Sequence, residues 1–113
     1  LNKYNANGTA LLYSTYYGGS GSDVPSNMVV NNNNELIVLG STQSSNLATT
    51  TGCYDNTLNG ANDLYVAHFN AAGTVLIGAT YIGGNADDGF NSYSLSPNYG
   101  DAHRGETVQS LKW

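Results

Sequence analysis

The sequence predicts an all-β protein made of β-propeller blades, each blade being a four-stranded antiparallel sheet. Three observations favour this fold class: an internal repeat, strand segments that are apolar on both faces, and turns rich in glycine and asparagine. The 113 residues hold about one and three quarter repeats, so we expect them to be part of a larger propeller. The main alternative is a β-sandwich of about eight strands, a fold that requires no repeat.

The internal repeat relates residues 4–23 to residues 69–88 without a gap, at an offset of 65 residues. Ten of the twenty aligned positions are identical, which is far more than chance produces. A fixed period of this kind is the signature of stacked supersecondary units. It divides the chain into residues 1–62, a partial blade with a blade-linking loop, and residues 63–113, the second repeat.

The first elements form a predicted hairpin. Residues 1–4 correspond to residues 66–69 of the second repeat, so the chain begins within a strand. The next strand is predicted over Thr9–Tyr17 and ends at Gly18-Gly19. Between the two strands, Asn7-Gly8 predicts a type I′ turn, because both central positions of that turn need positive φ angles.

Two further strands complete the first repeat. They are predicted over Ser26–Val30 and Glu35–Thr42, with a polar turn at Asn31–Asn34 between them. The apolar run of Leu36–Leu39 indicates burial on both faces. A long polar connection, Gln43–Asn62, then leads into the second repeat.

The second repeat begins with the clearest strand pattern. In Asp63–Asn70 both alternating faces are largely apolar, as expected for a sheet packed between two neighbours rather than one with a solvated face. The following strand is predicted over Thr74–Ile82 and ends at Gly83-Gly84. The cycle is therefore about four strands per repeat, which is the composition of a propeller blade.

Composition excludes several functions. Three Lys and Arg face eight Asp and Glu, a net charge of −5, so the basic patch needed for nucleic acid is absent from the sequence. No run of 18 apolar residues exists that would predict a membrane-spanning helix. A single cysteine, Cys53, cannot form an internal disulfide, so stability must come from burial.

The sequence predicts no enzymatic activity. Cys53 has no histidine near it in sequence, and His68 lies among apolar strand residues, which indicates a structural role. Phosphate-binding loops, zinc motifs and nucleophile elbows are absent from the sequence. A propeller glycosidase or lyase is the alternative, for which Asp101 and Glu106 offer a pair of carboxylates.

Four motifs carry a resemblance to a known family. They are LLYSTYYGGSGSD, NNNNELIVLGSTQSSN, TTTGCYDNTLNGANDLYVAHFNAAGT and TYIGGNADD, which together cover nearly the whole chain up to Asp88. They resemble the SBBP family of bacterial repeats, which implies a seven-bladed propeller. The chain departs from the repeat where Gly78-Ala79 replaces the Tyr13-Ser14 pair.

The tail, FNSYSLSPNYGDAHRGETV, is similar to segments of large surface proteins of gliding bacteria exported by type IX secretion. The resemblance implies a secreted or cell-surface, adhesin-like bacterial protein. Its partners would be proteins or glycans on a cell surface and the neighbouring blades of the same protein. Fewer than two repeats cannot close a propeller ring, so we expect the chain to be a fragment. The alternative is a strand-rich subunit that assembles with other copies into an oligomer or fibre.

An insertion in the second repeat, residues 89–103, is the candidate binding loop. Aromatic faces beside polar groups suit sugar rings or peptides, because rigid rings supply contact area at low entropic cost. The alternative is that these aromatic residues pack over the edge of a blade. The predicted ligand-binding residues in and beside this insertion are Phe90, Tyr93, Tyr99, Asp101, His103 and Arg104.

No cofactor is predicted, although one group of oxygen ligands suits a calcium ion. The group surrounds Gly89 and consists of Asn85, Asp87, Asp88 and Asn91. It lacks the spacing and the final glutamate of an EF-hand loop. The alternative is that these side chains bond backbone amides within a turn.

Overall fold

The protein is all-β, as predicted. The structure, a computed structural model, describes residues 1–88, and within that range it contains antiparallel strands and no helix. It follows that residues 1–88 include no helix that could cross a membrane. The strands are β1 (Asn2–Tyr4), β2 (Leu11–Ser14), β3 (Asp23–Val30), β4 (Leu36–Thr42), β5 (Asp63–Phe69) and β6 (Leu76–Ile82).

The strands form two sheets. One is the hairpin of β1 and β2, and the other is a four-stranded meander in the order β3-β4-β5-β6. In the centre of the meander, Val38 of β4 faces Ala67 of β5, which in turn faces Ala79 of β6. The meander takes two strands from residues 1–62 and two from residues 63–113. Because the repeat offset is 65, the hairpin β1-β2 is the sequence equivalent of β5-β6.

The β1-β2 turn is not the predicted type I′ turn. Gly8 has a positive φ of 70°, but Asn7 is not among the residues with positive φ. The reason is the side chain of Asn5, whose Oδ1 accepts hydrogen bonds from the amides of Thr9 (2.8 Å) and Ala10 (3.1 Å). This wider turn shortens β2 to Leu11–Ser14.

The β5-β6 turn repeats that geometry. Asn70 Oδ1 accepts from the amides of Thr74 (2.8 Å) and Val75 (3.1 Å), and Gly73 has a φ of 69°. The repeated N-x-x-G-T pattern thus encodes a specific turn, with asparagine bonding the backbone ahead of it and glycine adopting the left-handed conformation.

One face of the meander holds the core. Strands β4 and β5 present alternating buried residues to it. The buried cluster consists of Leu36, Val38, Leu47, Tyr65, Ala67, Phe69, Ala79 and Tyr81, with Leu1, Tyr17, Leu58 and Leu76 packed against it. Leu1 and Tyr17 belong to the hairpin segment, so the hairpin covers this face.

The connection between β4 and β5 runs along the outer edge of β6. Thr50 and Ala79 exchange hydrogen bonds, with Ala79 N donating to Thr50 Oγ1 at 3.0 Å. Further along, Tyr81 N donates to the carbonyl of Asp55 at 3.0 Å. This segment pairs the edge of β6, which would otherwise be open to pairing with another strand.

Within residues 1–88, no sheet packs on the opposite face of the meander, and only the segment that contains Cys53 and Tyr54 lies beside it, at β6. Ile37, Leu39 and Val66 lie on this face and are only partly buried, although the sequence predicted cover on both faces. At the other edge of the meander, β3 is exposed along nearly its whole length.

Candidate interaction surfaces

The predicted binding loop lies outside the described residues. The structure describes residues 1–88, and residues 89–103 and all six candidate ligand-binding residues lie after them. The structure therefore neither groups nor separates Phe90, Tyr93, Tyr99, Asp101, His103 and Arg104. What it does describe is a set of sheet surfaces and turn anchors.

Three of the four predicted calcium ligands are described. Asn85 and Asp87 are exposed, whereas Asp88 is buried and its Oδ2 accepts a hydrogen bond from the Gly84 amide at 2.6 Å. Asn91 lies outside the description, so calcium binding stays a prediction. Within residues 1–88 no group of three or more His, Cys, Asp or Glu side chains is placed to hold a metal ion.

Aspartates accept a hydrogen bond from the amide four residues earlier at two repeat-equivalent positions. Asp23 Oδ2 accepts from the Gly19 amide at 2.7 Å, which matches the bond between Asp88 and Gly84. Asp23 also accepts hydrogen bonds from the hydroxyls of Thr42 and Ser44, both of which are fully buried. The Asp23 carboxylate thus fixes the path of the chain as it enters β3.

Asp63, at the start of β5, is a buried carboxyl group with few hydrogen bonds and with other carboxylates nearby. Its Oδ2 accepts from the Asn59 amide at 2.8 Å, but the buried Oδ1 has no hydrogen-bond partner among the described residues. Burial raises the pKa of this carboxyl, and the nearby carboxylates of Asp88, Asp55 and Asp87 raise it further. Gly83 allows the approach, since a β-carbon there would lie 2.5 Å from Asp63 Oδ1.

The seam between hairpin and meander centres on Tyr17. Its ring lies 5.6 Å from the ring of Tyr65 and 5.4 Å from that of Phe69, the latter edge-to-face. Its hydroxyl donates to the carbonyl of Ala48 at 2.7 Å. Burial raises the pKa of Tyr17, with smaller contributions from Tyr65 and other neighbouring groups. One tyrosine therefore supplies both the apolar contact and a polar anchor.

A second contact of the seam lies at the β5-β6 turn. Thr15 Oγ1 donates to the carbonyl of Gly73 at 2.8 Å. The ring of Tyr13 lies so close to Gly73 that a β-carbon there would fall 2.4 Å from the ring. Glycine is thus required at Gly73 both for its positive φ and for this approach.

The repeat defines two further surfaces. The hairpin residues that face the meander, namely Leu1, Lys3, Tyr13, Thr15 and Tyr17, are equivalent to Val66, His68, Gly78, Thr80 and Ile82. Those five lie on the uncovered face of the meander and are partly buried. We call this face the uncovered sheet surface, comprising Ile37, Leu39, Val66, His68, Gly78, Thr80 and Ile82.

The other surface is the outer side of the hairpin. Asn2, Tyr4, Leu11, Ser14 and Tyr16 are equivalent to Ala67, Phe69, Leu76, Ala79 and Tyr81, which all pack in the core. On the hairpin all five are exposed. We call them the outer hairpin surface. Each of the two surfaces that meet in the seam thus has a repeat-equivalent surface, and within residues 1–88 no sheet packs against that equivalent.

A groove marks the uncovered sheet surface at Gly78. It has a volume of about 280 Å³, and Cys53, Tyr54, Val66 and His68 are among its lining residues. Among residues 1–88, apart from Gly78 and its two chain neighbours, no atom lies within 4 Å of the position that a β-carbon on Gly78 would take. The sequence signal was the replacement of Tyr13 by Gly78 between repeats, which removes a ring.

A larger concavity lies beside it. Residues 49–56, within the predicted polar connection, line an open hollow of about 550 Å³. Tyr54 is exposed at its rim. The charged group that lines the hollow is bonded within the chain, because the two carboxylate oxygens of Asp55 accept hydrogen bonds from Thr57 and Asn59.

His68 has a carboxylate partner on the uncovered sheet surface. Its Nε2 lies 3.0 Å from Glu35 Oε2, and the same oxygen accepts from Asn31 Nδ2 at 2.7 Å. Hydrogen bonds from Asn31, which has the larger effect, and from His68 lower the pKa of Glu35. This contact ties the turn before β4 to β5.

Comparison with known proteins adds no relative: no family model, curated protein or solved structure matches the chain.

Proposed function

We propose that the chain is a non-catalytic structural and interaction module of a secreted or cell-surface bacterial protein, built from propeller-type blades. The observation that carries the proposal is the seam, in which Tyr17 packs between Tyr65 and Phe69. The seam joins the β1-β2 hairpin to the four-stranded meander. By the repeat, this hairpin is equivalent to β5-β6, the last two strands of the meander.

Face-to-face stacking of repeat-related sheets is the arrangement of a propeller. The uncovered sheet surface supports it over a sandwich, because the outer face of a sandwich sheet is polar. Here Ile37, Leu39 and Val66 lie on that face. A ring of about four to eight such sheets covers both faces of each one. The remaining blades would come from the same polypeptide or from other copies.

The proposed role is to present loops to a protein or glycan at the cell surface. The described carboxylates support a structural role, since Asp23, Asp55 and Asp63 all accept hydrogen bonds from turn or loop residues. Binding is assigned to the loop at residues 89–103, whose aromatic residues suit a sugar ring or a peptide. The seven-bladed SBBP architecture and type IX export rest on the resemblance of the motifs alone.

The blade architecture is tested on the natural protein. We would measure the intact mass of the undigested polypeptide and its oligomeric state, and image the particles by cryo-electron microscopy. A ring with a central channel, from one long chain or from several copies, is the expected result. A compact particle with two packed sheets and no channel would contradict the proposal.

The binding role is tested separately with a glycan array and a cell-adhesion assay. The Tyr93→Ala/Tyr99→Ala double variant should lose binding at least tenfold, which corresponds to about 1.4 kcal/mol. Tyr54→Ala is the matched control, because it removes an exposed tyrosine elsewhere. Unchanged binding in a folded double variant would exclude the loop.

A further inference from the structure

The seam shows which side of the hairpin packs on which face of the meander, and within residues 1–88 this packing occurs once. In the seam, the inner side of the hairpin packs on the covered face of the meander. The repeat makes the uncovered sheet surface equivalent to the first partner and the outer hairpin surface equivalent to the second. The repeat therefore predicts that these two surfaces are complementary, and within residues 1–88 no sheet packs against either of them.

We propose that the uncovered sheet surface of one copy docks on the outer hairpin surface of a second copy, so that the chain assembles head to tail. The inference rests on the proposed stacking of repeats and adds the partner and the surfaces. Since each copy carries both surfaces, the contact is heterologous, and repeated contacts produce a closed ring or an open filament.

The residues that would meet follow from the repeat. Tyr17 packs on Phe69 in the seam, and their equivalents are Ile82 and Tyr4. Both are apolar, and Tyr4 is exposed. The contact between copies would thus place Ile82 of one copy against Tyr4 of the other.

The charge distribution permits this contact. His68 and Glu35 lie on or beside the uncovered sheet surface and pair with each other, and Cys53 and Tyr54 line its groove. The outer hairpin surface has no charged side chain. Burying apolar area between two such surfaces does not strand an unpaired charge, which would cost several kcal/mol.

The contact between copies lacks one aromatic ring that the seam contains. In the seam, the Tyr13 ring fills the space over Gly73. The equivalents are Gly78 and Gly8, so the same position between copies holds no ring. We expect association to be weaker than the seam, because this gap forfeits the apolar contacts of one ring.

The first experiment follows mass against concentration for the full chain by analytical ultracentrifugation, up to about 1 mM, where even weak contacts populate. The wild type should rise from monomer to dimer and beyond. Tyr16→Lys, on the outer hairpin surface, and Val66→Lys, on the uncovered sheet surface, should each stay monomeric. Val30→Lys, which replaces an exposed valine on neither surface, should assemble like the wild type.

Mixing the two monomeric variants is the decisive step. Each retains one intact surface, so a 1:1 mixture should form a heterodimer and stop there. A mixture that stays monomeric overturns the head-to-tail contact. Self-association of either variant alone also overturns it, since that would require a surface to bind its own kind.

A gain of affinity gives a second test that does not rely on disruption. Gly78→Tyr restores the ring that Tyr13 supplies in the seam, into space that is open in the structure. We expect association about tenfold tighter, abolished again when Tyr16→Lys is added. No gain in a folded Gly78→Tyr variant contradicts the proposed alignment of the two surfaces.

Folding of every variant is checked by circular dichroism and thermal unfolding. Should Val66→Lys unfold, Ile37→Lys replaces it on the same surface, and Tyr4→Lys replaces Tyr16→Lys in the same way. A wild type that is monomeric at all concentrations overturns this inference, whereas cryo-electron microscopy of the natural particle decides the blade architecture independently.

Discussion

Tyr16 and Tyr81 occupy equivalent positions of the repeat and have opposite environments. Tyr81 is fully buried, its hydroxyl donates to the Ser44 carbonyl at 2.6 Å, and it accepts from the Leu47 amide at 2.9 Å. Tyr16 is fully exposed on the outer hairpin surface. The difference arises because β4 and the segment after it pack beside Tyr81, while no described residue packs in the same way beside Tyr16.

This pair yields the first prediction. Tyr81→Phe removes a buried hydroxyl and leaves the Leu47 amide without its partner, so we expect a loss of about 1–3 kcal/mol in the free energy of unfolding. Tyr16→Phe makes the same change at an exposed site and should lie within about 0.5 kcal/mol of the wild type. Urea unfolding of both variants measures the difference. Equal effects would contradict the described burial.

The second prediction uses another equivalent pair, Gly73 and Gly8. Both have φ near 70°, so alanine at either site pays the left-handed backbone cost of about 1–2 kcal/mol. Only at Gly73 does the new β-carbon collide with the Tyr13 ring, which adds about 1–3 kcal/mol of overpacking. Thermal unfolding of Gly73→Ala and Gly8→Ala isolates the seam. If the two variants melted together, Tyr13 would not pack on Gly73.

The third prediction concerns the anchor at the start of β3. Asp23→Ala removes the acceptor for Gly19, Thr42 and Ser44 and leaves two buried hydroxyls without it. We expect destabilisation of about 3 kcal/mol, as for loss of charge-assisted hydrogen bonds in a buried site. Asp87→Ala, at an exposed position, is the control and should be nearly neutral. A mild effect of Asp23→Ala would argue against this network.

The fourth prediction is a pH dependence with a defined sign. The pKa of Asp63 is raised by folding, so the folded state holds this proton more tightly than the unfolded state. Its contribution therefore lowers stability as pH rises from about 3.9, the usual value for aspartate, through the raised pKa. Each unit of the rise corresponds to about 1.4 kcal/mol.

Asp63→Asn should abolish that decline, as measured by unfolding at a series of pH values. Asp55 provides the opposite case, because hydrogen bonds from Thr57 and Asn59 lower its pKa. Stability contributed by Asp55 is present above the usual aspartate pKa and is lost as pH falls through its own lowered value. Asp55→Asn should therefore lower stability above the usual aspartate pKa and remove the part of the acid-induced loss that Asp55 causes. The same change in both variants would refute the assignment.

Much of the fold was predictable because it depends on local pattern. The strand at Asp63–Asn70 was predicted to within one residue, since its run of apolar residues between turn signals marks both ends of the strand. The β1-β2 turn was predicted with the wrong type. Asn-Gly favours a type I′ turn, but the side chain of Asn5 reaches two backbone amides and stabilises a longer turn.

The candidate surfaces were less predictable. The replacement of Tyr13 by Gly78 was visible in the sequence, but its consequence, an open groove beside Tyr54, depends on residues distant in the chain. The path of residues 50–55 along β6 was likewise hidden, because it depends on hydrogen bonds between residues about 25 to 30 positions apart, from the Ala79 amide to Thr50 Oγ1 and from the Tyr81 amide to the Asp55 carbonyl.

The sequence by itself determined the repeat, the all-β class and the positions of the two hairpin turns, because these follow from period and residue type. Only the tertiary structure decided which face of each strand is covered. Tyr16 and Tyr81 are the same residue in the same pattern, yet one is exposed and one is buried. Burial depends on which sheet stacks against a face, and that is a property of chain segments far apart in sequence.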